Sequence, residues 1–481
     1  MADKRWTELV ADVGDHDRTV EEAGGAANVS RQKRMGRMTA RERIAALVDD
    51  GSFVELGRHV LHRHAASSER LAENRVPGDG VVCGFGNVAG RAIAVYAHDP
   101  TTLRGALGHE ASRKIRRLLD VAWEKKLPVV CFADCDGVRV DEGIDAIEAY
   151  GEILRQTVRQ ETGTLQMTLV CGLCVGAAAY AAALNDLVGM VAEQSMMFIT
   201  GPKVTKAVTG EETTLEDLGG AEVHATKTGQ CHALVNDEGE GIAWMKSVLA
   251  MLDVERPTTD STERDTRAIE SIVPTAPRRA YDVTKLLDLV FDEKSIVELS
   301  PSFARNLVTA FARLGGRTVA VVASQPMVLA GCLDVDASRK GAHFVRLASK
   351  LGIPVVTFVD VPGFLPGTKQ EHGGILREGA ELLSAYGAAR VPLVCVVVRK
   401  SYGGASVLSF AADTRLALPS ARIGPVGADL TAELVDGAAA IDDSVWAAAS
   451  AGYVDRVLRP EHVRRELFAS VRALVGTKLV R

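Results

Sequence analysis

Four short stretches of the chain place glycine where a buried apolar run breaks into small residues. They are Asp134-Cys-Asp-Gly137-Val-Arg139, leading to Glu142-Gly143; Cys171-Gly-Leu-Cys-Val-Gly176-Ala177-Ala-Ala-Tyr180; Asp360-Val-Pro-Gly363-Phe364-Leu-Pro-Gly367-Thr; and Arg399-Lys-Ser-Tyr-Gly403-Gly404-Ala405-Ser. A strand that ends in glycine and turns into a helix leaves backbone N–H groups unpaired at a positive dipole end. Two such amides, with no side chain in the way, can hold an oxyanion as it develops on a thioester or urea oxygen. Having the arrangement twice suits a reaction with two oxyanions. The other reading is that these glycines serve only turns and close helix–sheet packing, the common explanation for a lone corner. Four corners in register weaken it.

The register comes from a tandem repeat. Gly90-Arg-Ala-Ile-Ala-Val-Tyr-Ala-His-Asp-Pro100 lines up with Gly316-Arg-Thr-Val-Ala-Val-Val-Ala-Ser-Gln-Pro326, an offset of 316 − 90 = 226. The same offset joins Ala111-Ser-Arg-Lys114 to Ala337-Ser-Arg-Lys340, and Pro128-Val-Val-Cys-Phe-Ala-Asp134 to Pro354-Val-Val-Thr-Phe-Val-Asp360, slipping to 227 by Asp186 and Asp413. A period this long marks a duplicated domain rather than a solenoid. The division expected is an N-terminal domain over 1–254, an exposed linker over 255–279 rich in Thr, Asp, Glu, Arg and Pro, and a C-terminal domain over 280–481. Short β-branched runs (129–133, 168–171, 355–359, 393–398) alternate with amphipathic patterns (112–124, 338–351), which predicts an α/β class with helices packed on sheets. Thr39-Ala-Arg-Glu42 predicts a capped helix start.

Other chemistries find little support. There is no G-x-S-x-G elbow, P-loop or H-E-x-x-H pattern. Gly84-Phe-Gly-Asn-Val-Ala-Gly90 has the wrong spacing for a dinucleotide loop and reads as a β-hairpin. The eight cysteines read as buried thiols, although Cys131/Cys135 and Cys171/Cys174 flank the first two corners and leave a metal or redox role open. No metal is expected. A net charge of -6 supplies no field for nucleic acid or an anionic membrane, so an anionic ligand must be met locally. Arg31, Lys33, Arg34 and Arg37 are one such patch, or a solvated helix face. Without an apolar leader or spanning run, the chain reads as cytoplasmic.

At its corners the sequence resembles the acyl-CoA carboxylase carboxyltransferase family, which includes propionyl-CoA carboxylase β subunits and methylmalonyl-CoA decarboxylase α subunits. The resemblance runs from about residue 30 to the C-terminus. It is carried by Asp134, Gly137, Arg139, Glu142 and Gly143, by Phe198-Ile-Thr-Gly-Pro202, Val208-Thr-Gly-Glu211, Leu218-Gly-Gly-Ala221 and His224, and by Asp360–Thr368, Gln370-Glu371, Gly373-Gly374-Ile375 and Tyr402-Gly-Gly-Ala405. It implies a tandem crotonase-like spiral fold, with acyl-CoA on the N-terminal half and biotin on the C-terminal half of a neighbouring subunit. The amides of Gly176 and Ala177, beside Gly137, would then hold the acyl enolate, and those of Gly404 and Ala405 the biotin urea oxygen. Arg139, Tyr180, Val407, Arg34 and Arg37 would contact the acyl-CoA; Gly363, Phe364, Gly367 and Gly374 would contact biotin. The resemblance further implies a hexamer, and a partner bearing the biotin carboxylase and biotin carboxyl carrier functions. The chain itself has no biotinylation hairpin, since Met245-Lys246 falls in a helical stretch. Departures cluster on the acyl side. Cys135-Asp136 replaces the family's Ser-Gly, Ala177 its second glycine, Ala181-Ala182 its Ser-Pro and Ser406-Val407 its Tyr-Asp, and a helical excursion is missing between Gly427 and Gly452. A decarboxylase using the same site in reverse, and a non-catalytic scaffold, remain open alternatives.

Overall fold

Buried runs of β-branched residues, too short for helices, become parallel strands when amphipathic helices cover the sheet. In the computed structural model, which describes residues 5–62, 69–73, 75–159, 163–253, 255–258, 260–276, 278–427 and 442–475, this happens twice. The chain forms two compact units, Met1–Ser247 and Val248–Arg481.

The first unit contains β1 (Val54–Glu55), β2 (Val81–Val88), β3 (Arg91–His98), β4 (Val129–Cys135), β5 (Gln166–Val175), β6 (Leu187–Val191), β7 (Met196–Phe198) and β8 (Ala233–Val235). Their order is β1-β2-β3-β4-β5-β6-β8, with β7 beside β5. The first two pairs are antiparallel and the rest parallel. Each parallel strand from β3 to β6 lies next to its predecessor, so the chain advances in one direction as a spiral. The second unit repeats this with β9 (Val297–Leu299), β10 (Leu307–Leu314), β11 (Arg317–Ser324), β12 (Val355–Val361), β13 (Leu393–Tyr402), β14 (Thr414–Ala417), β15 (Arg422–Gly424) and β16 (Arg456–Val457), in the order β9-β10-β11-β12-β13-β14-β16 with β15 beside β13.

The repeat read from residues holds for elements. β2 and β10 start 307 − 81 = 226 residues apart, the helices His109–Lys125 and Val335–Leu351 start 335 − 109 = 226 apart, and β5 and β13 start 393 − 166 = 227 apart. The shared Ala-Ser-Arg-Lys motif now has a physical reason. Lys114 Nζ donates to the Gly78 and Val81 carbonyls (2.8 and 2.6 Å), and Lys340 Nζ to those of Ser300 and Phe303 (2.8 and 2.9 Å). Each lysine fastens the central helix to the segment entering β2 or β10, respectively. Burial lowers both ammonium pKa values, Lys340 to about 8.

Thr39 caps the helix Ala40–Leu47 through a capping box with Glu42, as its sequence predicts. The 84–90 stretch is a hairpin, turning at Ala89 (φ 49°) and Gly90 (φ 80°). In the first core, Ile115, Leu118, Leu119 and Ala122 pack against Val129, Cys131 and Ala133. Most described residues of the 255–279 segment are exposed, but the segment is anchored. Ile269 and Val273 are buried in the second core, because a short helix (Ile269–Ile272) turns its apolar residues onto the helix Val283–Val290. No helix among the described residues is long and apolar enough to cross a membrane.

Candidate active site

The two corners of the first unit meet at the tips of β4 and β5. A single parallel bridge joins Leu107 to Val138: the Leu107 N–H donates to the Gly137 carbonyl (2.9 Å) and the Arg139 N–H to the Leu107 carbonyl (2.8 Å). That pairing leaves the Val138 amide facing away from Leu107. Gly137 (φ 91°) lies so near β5 that a Cβ there would stand 3.2 Å from the Val175 carbonyl oxygen. Gly176 (φ 61°) then turns the chain into the helix Ala177–Ala183. Its own N–H donates to the Phe198 carbonyl (3.1 Å), so the expected Gly176 donor is spent on extending the β5–β7 ladder. Ala177 and Val138 are the amides left at the tip.

The second unit builds the same corner. Leu333 bridges Phe364, with the Leu333 N–H on the Gly363 carbonyl (3.1 Å) and the Leu365 N–H on the Leu333 carbonyl (2.8 Å). Gly403 (φ 58°) matches Gly176 at 403 − 176 = 227, which pairs Gly404 with Ala177 and Ala405 with Ala178. A Cβ on Gly404 would lie 3.6 Å from the Phe364 ring, and one on Gly379 would lie 3.2 Å from it. The Phe364 ring therefore lies against both Gly404 and Gly379. Gly367 (φ 121°) and Gly374 (φ 90°) bracket the short helix Thr368–Gly373. Val138 was missed by sequence reasoning, although the 226 offset from Phe364 could have found it.

Buried ion pairs hold both corners. Asp134 accepts from Arg43 (3.0 Å), which also grips Glu238 (2.8 and 2.9 Å), and Asp360 accepts from Arg399 (2.8 Å). Arg139, expected to touch substrate, faces the interior: its side chain is fully buried, bound to Asp79 (2.6 Å), Glu142 (2.7 Å) and the Ala106 carbonyl (3.0 Å). It positions the loop instead. His98 at the end of β3 lies in this charged interior. Burial first, and the Arg43 charge second, push its pKa from 6.5 down to about 4. The folded state therefore binds fewer protons than the unfolded chain between these values. The stability His98 contributes is present above pH 6.5 and is lost as pH falls through 4, on the order of 3 kcal/mol. His98→Gln should flatten the dependence of the urea midpoint on pH between 7 and 4.5; an unchanged slope would assign acid sensitivity elsewhere.

Tyr180 is half-exposed on the helix behind Ala177, and Val407 is partly exposed at the start of the helix Val407–Phe410. Arg37 lines a cavity beside the first corner together with Arg31 and Arg104; Arg34, expected there, is exposed at the helix end and does not line it. All eight cysteines are free thiols, and burial raises Cys131 and Cys135 to about 12, which disfavours a thiolate ligand or nucleophile. Among the described residues, no three His, Cys, Asp or Glu side chains could jointly hold a metal. Most of the stretch between Gly427 and Gly452, where a helical excursion is expected to be missing, lies outside the described residues.

Paired strand-tip amides on a duplicated spiral sheet define an enzyme of the tandem crotonase-like class. More narrowly, the chain belongs to the carboxyl transferase domain family, which matches residues 31–444. It is 40% identical over 481 residues to a propionyl-CoA carboxylase carboxyltransferase subunit of Haloferax mediterranei, covering 94% of this chain and 93% of that one. It is 37% identical to a propionyl-CoA carboxylase beta chain of Roseobacter denitrificans, covering 93% of each. Among solved structures it matches the hexameric transcarboxylase 12S, crystallised with methylmalonyl-coenzyme A, at TM-score 0.94 and 34% identity over 100% of this chain and 98% of that one. A single-chain long-chain acyl-CoA carboxylase matches at TM-score 0.86 and 26% identity, over 98% of this chain and 49% of that one.

Proposed function

We propose that the chain is the carboxyltransferase subunit of a biotin-dependent acyl-CoA carboxylase, acting in the cytoplasm as a hexamer with a partner bearing biotin carboxylase and biotin carboxyl carrier functions. The observation that carries this is the corner repeated at offsets of 226 and 227 in a chain of the carboxyl transferase family. In the first unit the Ala177 and Val138 amides hold the thioester oxygen as the α-carbon is deprotonated, stabilising the enolate without a charged side chain. In the second unit the Gly404 and Phe364 amides hold the urea oxygen of biotin. The absence of side chains at Gly363 and Gly404 and the flat Phe364 ring fit the planar ureido ring of that head. Biotin on its carrier supplies the transferable carboxyl group and a base for the α-proton. The test is to give the purified chain carboxylated carrier and acyl-CoA. Carboxyl transfer is expected, and none from ATP and bicarbonate alone; fixation of bicarbonate by the chain alone overturns the reading.

Val407 sets acyl preference in this reading. An isopropyl group in place of a carboxylate removes a group that is costly to bury and makes the pocket wall apolar. Each added methylene of the acyl chain then gains up to about 0.8 kcal/mol. Val407→Asp should move kcat/KM roughly ten-fold from octanoyl-CoA toward propionyl-CoA. A folded variant with unchanged preference would make Val407 a packing residue.

A further inference from the structure

The two corners are steadied by different arginines. In both units the ladder between the tip strands shifts register across an aspartate, between Ala133 and Cys135 and between Val359 and Val361. In the second unit Asp360 Oδ1 accepts the Lys400 N–H (3.2 Å) and Oδ2 accepts Arg399 Nε (2.8 Å), and both side chains of this ion pair are buried. These bonds fix how β12 leaves the sheet to become the loop that carries Gly363 and Phe364. In the first unit Asp134 is held by Arg43, whose guanidinium also meets Glu238. The residue matching Arg399 there is Gly172 (399 − 172 = 227), where a Cβ would lie 2.2 Å from Asp134 Oδ1.

Among the described residues Arg399 has no second carboxylate. Its Nη1 donates instead to the carbonyls of Pro274, Ala276 and Arg279 (3.4, 3.1 and 2.7 Å), and the Tyr281 ring covers its face, with Cζ 4.9 Å from the ring centroid. A planar guanidinium can serve a carboxylate and several carbonyls at once while its face meets a ring. The stretch that precedes the helix Val283–Val290 is thereby tied to the second corner through one side chain.

Resting on the biotin-side reading above, we propose that Arg399 and Tyr281 are positioning residues for carboxyl transfer. The stretch bearing Pro274, Ala276, Arg279 and Tyr281 is a strap that holds Arg399 on Asp360, and so sets the Gly363 turn and the Phe364 amide for the biotin ring. The strap acts on one substrate only. If it loosens, Arg399 can turn away from Asp360 and the loop at Gly363 drifts, while the acyl corner keeps its own Arg43 and Glu238.

Three variants of the full chain test this. Tyr281→Leu keeps apolar bulk and loses the ring face, Tyr281→Phe keeps the ring, and Arg399→Lys keeps the charge and loses the fork. One readout is KM for carboxylated carrier protein against KM for propionyl-CoA. The other is amide exchange at Leu365 against Arg139, the matching N–H groups of the two corners (365 − 139 = 226), each 2.8 Å from its leucine carbonyl. Tyr281→Leu should raise the carrier KM about ten-fold and leave that for propionyl-CoA unchanged, and Arg399→Lys should do so more strongly. Leu365 should exchange about ten-fold faster in both, with Arg139 unmoved. Tyr281→Phe should match wild type. The inference is overturned if both KM values move together, if Tyr281→Phe behaves as Tyr281→Leu does, or if Leu365 exchanges as slowly in Tyr281→Leu and Arg399→Lys as in wild type. Should Tyr281→Leu not fold, Arg399→Lys alone decides by the same readouts. Absence of carboxyl transfer by the wild-type chain would instead overturn the carboxyltransferase reading, and exchange at Leu365 would still decide whether the strap holds the corner.

Discussion

Ala177→Pro should lower kcat by about 10²–10³-fold while leaving the fold and acyl-CoA binding intact. Ala177 is the first residue of the helix Ala177–Ala183. Proline is well tolerated there, because its fixed φ suits the helix and the missing N–H has no intrahelical partner. The preceding residue is normally restricted by a following proline through its Cβ, but here it is Gly176, already at φ 61° and ψ −124°. The substitution therefore removes one hydrogen-bond donor and little else. Gly176 cannot replace it, because its N–H is bound to the Phe198 carbonyl. Ala177→Gly, which keeps the amide, should retain activity, and circular dichroism and CoA titration should match wild type in both variants. If the proline variant turned over normally, the enolate oxygen would not be held at this tip.

The elements were legible because each sits on a local pattern: β-branched runs for strands, helical spacing around Ala111-Ser-Arg-Lys114, a capping box at Thr39. Duplication made the reading stronger, since a chance pattern does not recur at one offset. What stayed hidden depends on contacts between residues distant in sequence. The Gly176 N–H is consumed by Phe198, and nothing near residue 176 signals it. Arg43 reaches Asp134 from 91 residues away and Glu238 from 195, so no spacing rule joins them. The polar average composition of 255–279 agrees with its mostly exposed residues but hides Ile269 and Val273, which anchor it in the second core. Arg139 shows the limit most clearly. A motif can mark a position as demanding without telling whether its side chain faces a ligand or the interior.

Replacing Arg139 should cost about 3–5 kcal/mol and loosen the first corner, because it strands two buried carboxylates. Glu142 Oε2 accepts the His109 N–H (2.7 Å) and Asp79 Oδ2 the Ala111 N–H (2.9 Å), so together they cap the helix His109–Lys125. Both carboxylates are buried, and burial is the main force raising the Asp79 pKa while the Arg139 charge opposes it. Without Arg139 this restraint on protonation is lost, and the cap weakens with it. The second unit shows why the first needs the arginine. There the cap is the Asp334 side chain on the Ala337 N–H (2.8 Å), and Leu365 stands at the Arg139 position. The residue matching Asp334 in the first unit is Gly108, where a Cβ would lie 2.2 Å from Glu142 Oε1. The borrowed carboxylate occupies the space of a local cap, and Arg139 neutralises it. Arg139→Leu should therefore speed amide exchange at His109 and Ala111 far more than at Ala337, and lower activity through the displaced Val138 amide. Arg139→Lys should rescue only part of this, since a single ammonium lacks the planar fork that spans Asp79, Glu142 and the Ala106 carbonyl. Exchange at His109 as slow in Arg139→Leu as in wild type would show that the helix start is held without it.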